Sequence, residues 1–527
     1  MPAEGAPGAA GSSRLMSPKA TISVLNSVLG AVLGTAALIF IAQNMGPTVL
    51  GTLAFALSII GVLSFMADFG IGSVHSSFIK KGEDIGKCIG AYAAIKAVLL
   101  VIFSVVTVIL IELWWRDVLG GSMAETHALR DTMYVFLVYY VLLGISQIAT
   151  HTFEGVGAVA KVHVPAIIEI VVRVSFIIFV ATSAYGSDPE GPAFLASSYA
   201  AGIIAATLLV SFLLAKYRIS IPDRRILNEY IRSLAPVFVV SMIIIFDLYI
   251  DKLLVGYFSG EYELGLYFGV QKMAIFVSVF SLAVATLILP SVTTYFMRKD
   301  VAASWEVVNR AERYVSLVVI PTAAFYLMWG SQILSEFLTP EFAENVRTMD
   351  LLVIGSAVFA LVLPLRSAIV GVGKHSTLIY IGVGGLVLQV ALILALVPDT
   401  WFGMDSLGMK GLGAAIALVV TSIYYFFVLR YMAWKTAKIL PNSGSFRHVI
   451  AALVMVGAMY VIDWALLPSI DWLALILLAL IGTVVYGTAA YLMGELEASD
   501  YRYFRSMLNP QDTMQYVVNE LLGKRGP

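Results

Sequence analysis

The chain has 527 residues, 60% apolar and 13% charged, with a formal net charge of −1 and a mean hydropathy of +0.90. Soluble domains carry about 25% charged residues, so the composition excludes a soluble protein, and it equally excludes disorder, which needs high charge and few apolar residues. A near-neutral chain has no field to attract nucleic acid, and the single cysteine, Cys88, can form neither an internal disulfide nor a thiolate metal site.

Residues 1–18 are small and rich in Pro, Gly and Ser, and read as a disordered tail. The apolar stretch at 21–43 is longer than the roughly 7–15 residues of a signal-peptide core and reads as a retained span. A bilayer core of about 30 Å takes about 20 apolar residues as a helix. Fourteen segments fit: 21–43, 51–72, 88–113, 132–152, 165–184, 194–215, 235–257, 266–290, 314–334, 351–372, 377–397, 411–432, 448–467 and 471–494. Their runs are continuous rather than alternating, which argues for helices and against a β-barrel. Basic residues set the orientation. Lys80, Lys81, Arg224, Arg225, Arg298 and Lys299 are among the many that fall on the side of the N-terminus, whereas Arg116, Arg130, Arg347 and Lys410 fall opposite. Both termini are therefore expected in the cytoplasm, in a cell (cytoplasmic) membrane.

In chain order, Asp68 ends span 2 as a cap or as the partner of a Lys. Lys96 lies within span 3. Glu169 and Arg173 in span 5 are four apart, hence on one helical face; they form either a self-neutralising pair or an anion contact in which Glu169 holds the guanidinium. Residues 216–234 form an amphipathic linker with Ile221, Ile226, Tyr230 and Ile231 among basic residues, suited to the inner leaflet or to a solvated connection. Asp247 and Asp251 in span 7 again share a face, beside Lys252. Two such carboxylates repel, so one can carry a proton or the pair can bind Na⁺. Lys272 lies in span 8 and Arg366 in span 10. A charge at the bilayer centre costs about 2.5–3.5 kcal/mol on insertion scales, so each needs a partner, water, snorkelling or a function. Lys96, Arg173, Lys272 and Arg366 are the candidates for a cationic, phosphate-binding cleft, with Asp247, Asp251 and Glu169 for ion coupling or polar support. No catalytic residue, metal cluster or cofactor is indicated: there is no P-loop and no HExxH. The six histidines (His75, His127, His151, His163, His375 and His448) lie in or beside loops and are expected at the surface.

Landmarks recur. Gly46–Gly51 joins spans 1 and 2, and Gly260–Gly265 joins spans 7 and 8; Gly155–Gly157 follows span 4 as Gly371–Gly373 follows span 10; Gly191 precedes span 6 as Gly411 opens span 12. The offsets are 214, 216 and 220. Six spans per repeat, an even number, place both copies in one orientation, related by an axis along the membrane normal. The expected fold is thus an all-α polytopic membrane protein of about 14 transmembrane helices. It divides into an N-lobe at 19–215, the linker at 216–234, a C-lobe at 235–434, two further helices within 448–494 and a cytoplasmic tail at 495–527.

The chain resembles the polysaccharide exporter branch of the multidrug/oligosaccharidyl-lipid/polysaccharide exporter superfamily over nearly all of 20–510. Ala67-Asp68-Phe69-Gly70-Ile71-Gly72 is similar to the family signature after span 2, although Ser73-Val74-His75 departs from its usual continuation to Arg. Asp251–Gly256 with Gly265-Leu266-Tyr267, Gly371-Val372-Gly373-Lys374 and Gly411–Ala417 resemble later motifs. The resemblance implies a V-shaped, two-lobed flippase rather than an enzyme. It would move a polyprenyl-phosphate- or pyrophosphate-linked oligosaccharide from the cytoplasmic to the outer leaflet by alternating access, with ion coupling open. Relatives that flip lipid II carry several Arg in span 1; this chain has none there, with Asn26 the most polar residue. The expected partners are the lipid-linked glycan, membrane lipids and a glycan polymerase or glycosyltransferase. Competing readings are a cation-coupled drug or metabolite antiporter of the multidrug branch, which typically has twelve spans, and a non-transporting scaffold of a glycan-assembly complex.

Overall fold

The structure is a computed structural model that describes residues 9–116, 127–297, 301–401, 403–437, 444–466, 471–496 and 510–522. Its helices are α1 (Ala9–Leu63), α2 (Phe65–Asp68), α3 (Ile71–Lys80), α4 (Ile85–Trp115), α5 (His127–Val156), α6 (Val159–Thr182), α7 (Gly191–Leu214) and α8 (Arg224–Met297). They continue with α9 (Val301–Phe337), α10 (Pro340–Ala343), α11 (Val346–Gly371), α12 (His375–Leu396), α13 (Lys410–Ala437), α14 (Gly444–Leu466), α15 (Trp472–Leu492) and α16 (Pro510–Leu521). Among the described residues the only strands are β1 (Thr400–Trp401) and β2 (Met404–Asp405), a two-residue antiparallel ribbon between α12 and α13.

Eleven described helices are long and apolar enough to cross a membrane, or up to twelve if the bent segment of α8 counts as one span. The fourteen expected segments map onto them because α1 and α8 each contain two. The apolar stretch over α1 and α2 runs 48 residues, Thr21–Asp68, about 72 Å if straight and more than twice the hydrocarbon thickness. It breaks at Gly46 (φ 78°, ψ 178°), and α8 breaks at Gly260 (φ 83°, ψ 174°). That backbone region is essentially open to glycine alone. Helix α1 also starts at Ala9, inside the segment expected to be disordered.

The repeat is visible as matched geometry. Gly157 (φ 79°) and Gly373 (φ 78°) end α5 and α11 in left-handed turns, and the same six-residue bond closes each, Ala158 N to Phe153 O and Lys374 N to Ile369 O. Near the breaks in α1 and α8 the two copies cross reciprocally. A Cβ added at Gly51 would overlap the Glu261 carbonyl, and one at Gly265 would overlap the Pro47 carbonyl. Position 47 corresponds to 261 and 51 to 265 at the offset of 214, so this crossing lies on the pseudo-two-fold.

Helices α14 and α15, outside the duplication, pack on α9 and on each other, with Met455 and Met459 of α14 closing on Gly482 of α15. His448 accepts or donates at Ser316 (2.8 Å), and Glu495 pairs with Arg447 (3.0 Å). His448 and His75, expected at the surface, are both 0% exposed. The linker is also corrected. It carries no helix between Lys216 and Asp223, and Ile226 and Tyr230 are buried against the N-lobe, where Tyr230 bonds His75 (3.0 Å). Asp223 pairs with Lys87 and Arg225 with Glu83. Ile221 and Ile231 stay exposed, so the apolar set is shared between protein and surroundings.

Candidate functional site

The N-lobe wall of the site rests on α5, α6 and α7. One turn of α6 places Arg173 Nε 2.9 Å from Glu169 Oε1. The guanidinium lies 4.7 Å from the Tyr199 ring of α7, a cation–π arrangement favoured once water is excluded. Gly202 allows this approach, since a Cβ there would sit 2.7 Å from the Glu169 carbonyl. Tyr199 meets Tyr139 of α5 edge-on at 5.8 Å. The neighbouring Tyr140 hydroxyl bonds the Tyr249 hydroxyl of α8 at 2.8 Å, crossing from N-lobe to C-lobe.

The C-lobe wall is carried by α8. Lys272 is exposed at mid-helix, with its ammonium 5.1 Å from the Phe268 ring and within electrostatic range of Arg173, Lys252 and Asp251. Asp251 is closed into a network: it pairs with Lys252 (2.9 Å) and accepts from Tyr267 (2.9 Å) and Gln271 (2.6 Å). Asp247, one turn away, instead lines a cavity of 180 Å³ inside the C-lobe with Arg366, Tyr425 and Phe359. Among the described residues, neither Asp247 nor Arg366 makes a hydrogen bond or ion pair.

Of the four candidate cations, Arg173 of the N-lobe and Lys272 of the C-lobe are within electrostatic range of each other. Arg366 sits in the separate C-lobe cavity. Lys96 is corrected: it is 0% exposed, pairs with Asp68 (2.9 Å) and donates to Gln147 (2.7 Å). A fully desolvated ammonium needs a carboxylate and a second acceptor, and these surround it inside the N-lobe. Asp251 is likewise fully occupied by neighbours and leaves Asp247 as the open carboxylate. The tyrosines 139, 140, 199 and 249 were not singled out by sequence, because aromatic residues are ordinary in apolar spans and only the packing converges them.

The lobes touch on both sides of the Arg173–Lys272 level. The Gly51/Gly265 crossing lies on one side. On the other, Phe65 of α2 and Phe69 at its end meet Phe238 of α8 at 6.0 and 4.9 Å, and Gly70 (φ 74°) lets Val237 and Ser241 press against the turn.

This bundle of paired six-helix units is an all-α polytopic membrane fold of the kind seen in solved flippases and transporters. Lipid II flippase MurJ in an inward closed conformation superposes with a TM-score of 0.70, covering 89% of this chain and 98% of that one at 14% identity. A multidrug resistance MATE family transporter in an inward-facing conformation gives 0.62, covering 78% and 96% at 15% identity. The chain belongs to the polysaccharide biosynthesis protein family, whose model matches residues 18–296. It is also 23% identical over 457 residues to the probable low-salt glycan biosynthesis flippase Agl15 of Haloferax volcanii, spanning 82% of this chain and 87% of that one.

Proposed function

We propose that this protein flips a lipid-linked oligosaccharide, with Arg173 and Lys272 holding the phosphate or pyrophosphate of the head group. The observation that carries the reading is the convergence of these two cations, one from each lobe, between two layers of lobe–lobe contact. Arg offers a bidentate fork to phosphate oxygens and Lys a point charge. The tyrosines around Arg173 offer aromatic faces to the sugar. A groove of 230 Å³ lined by Thr35 of α1, Phe276 of α8, Tyr326 of α9 and Ile476 of α15 opens toward the surroundings. Phe276 is one turn beyond Lys272, so a prenyl chain in the groove would leave its head group at the cation. The face carrying Lys80, Lys81, Arg224 and Arg225 is taken as cytoplasmic. Flipping then alternates which contact layer is open: the phenylalanines on the basic face or the glycine crossing opposite. Asp247 in its C-lobe cavity is the group for any ion coupling.

The test is glycan-export complementation by the Arg173→Ala/Lys272→Ala double variant. Export is expected to fall at least tenfold with membrane levels unchanged; full export rules these residues out as the head-group site. Drug efflux in a sensitive host, with glycan export unaffected by depletion, would favour the antiporter reading. Loss of export on changing loops alone, with the cleft variants active, would favour the scaffold.

A further inference from the structure

Helix α6 starts with a deficit. The first amides of any helix lack intrahelical acceptors, and the residue before α6, Ala158, has no side chain able to supply one. Pro165, inside the helix, has no amide to bond the preceding turn. The turn 159–164 is thus weakly held by its own sequence. The acceptors come from the far end of the chain. Glu520 Oε1 of α16 accepts from Lys161 N at 3.1 Å. Tyr516 meets the Val159 backbone and hydrogen-bonds the second oxygen of Glu520. The Lys161 ammonium turns away over Phe153 and Tyr217 (5.5 and 5.6 Å). Leu521 packs on the cluster of Phe153, Val210 and Leu213, and Lys19 bonds the Gly157 carbonyl (3.2 Å).

The repeat supplies an internal control. The equivalent turn of the C-lobe, at Gly373 and Lys374, has the same backbone bonds yet is exposed, and among the described residues nothing caps α12. The cap is not a requirement of the turn. It is added to the copy whose hairpin, α5 and α6, carries Tyr139, Glu169 and Arg173.

We propose that Glu520 is a positioning residue: docked α16 clamps the α5–α6 hairpin at its end and so holds the N-lobe wall of the head-group site. The effect is transmitted along α6, where Lys161 and Arg173 are about 18 Å apart. A carboxylate also suits the positive end of that helix. The role of Arg173 in binding rests on the function proposed above; the clamp itself does not.

The experiment uses the full chain with three readouts. These are hydrogen exchange at the amides of 159–161, spin-label distances between Val138→Cys of α5 and Val171→Cys of α6 with Cys88→Ser, and binding of a short-chain polyprenyl-pyrophosphate N-acetylglucosamine. Glu520→Ala, which removes the acceptor, is expected to raise exchange at least tenfold, broaden the distance distribution and weaken probe binding three- to tenfold, with Glu520→Gln, which keeps one acceptor oxygen, intermediate. Unchanged exchange overturns the clamp. Faster exchange with an unchanged distance distribution reduces α16 to a local cap and overturns positioning, as does unchanged probe affinity. If the wild type does not bind the probe, the substrate reading fails separately and the distance distribution alone decides the clamp.

Discussion

Lys96 and Arg173 are both cations at membrane depth, and their neighbours give them different roles. Lys96 is sealed against Asp68 and Gln147, so its pair holds the N-lobe together. Removing one partner strands the other: Lys96→Met or Asp68→Leu is expected to cost about 3 kcal/mol, and the double variant to recover most of it. Thermal unfolding in detergent checks this, and an additive double variant would show the pair to be uncoupled. His75 is a second buried group with a clear consequence. Thr152 already donates to Ile148 O, so it accepts from His75 Nε2–H, which leaves Nδ1 to accept from Tyr230. Burial, and then His151, pushes His75 down to about 3. The folded protein keeps it neutral while the unfolded chain takes up a proton below about pH 6.5. Its contribution is therefore full above that pH and is lost as pH falls toward 3, amounting to about 2 kcal/mol by pH 5. Melting temperatures at pH 7.5 and 5.0 should show a smaller acid loss in His75→Gln than in the wild type.

Among the elements, the broken helices α1 and α8 show most clearly how short signals act. The Gly-bounded links were readable as joins between spans, but not as points where two copies of the repeat touch. A side chain at Gly51 or Gly265 would meet a carbonyl of the opposite copy, and backbone cannot yield as a side chain can. Gly51→Ala is therefore expected to prop this layer apart. A Leu264→Cys reporter, buried at the crossing, should react with an impermeant maleimide several-fold faster in that background; equal labelling would show that the crossing does not seal this side. The natural Cys88 is buried and gives little background. The linker teaches the converse. Its apolar residues were visible in sequence, but their partner was not, and the structure gives Ile226 and Tyr230 to the N-lobe rather than to lipid.

Across the whole molecule, the contact layers above and below Arg173 and Lys272 must open in turn if the chain alternates. Phe69→Cys and Phe238→Cys, whose native rings are 4.9 Å apart, joined by a short reducible cross-linker, should stop flipping in proteoliposomes, and reduction should restore it. Undiminished flipping by the cross-linked protein would exclude opening on that side. The sequence by itself determined the all-helical membrane fold, the duplication and the set of in-span charges. Apolar length, loop glycines and charges inside apolar runs are local quantities, legible one segment at a time. Only the tertiary structure decided which charges meet. Helix rotation sends Lys96 inward to Asp68, closes Asp251 into its network and leaves Arg173 and Lys272 within electrostatic range of each other, because that rotation is set by packing between segments far apart in the chain. The same holds for α16: nothing in its sequence names α6 as its partner, and the contact exists only because folding brings the unsatisfied amides of one helix to the carboxylate of another.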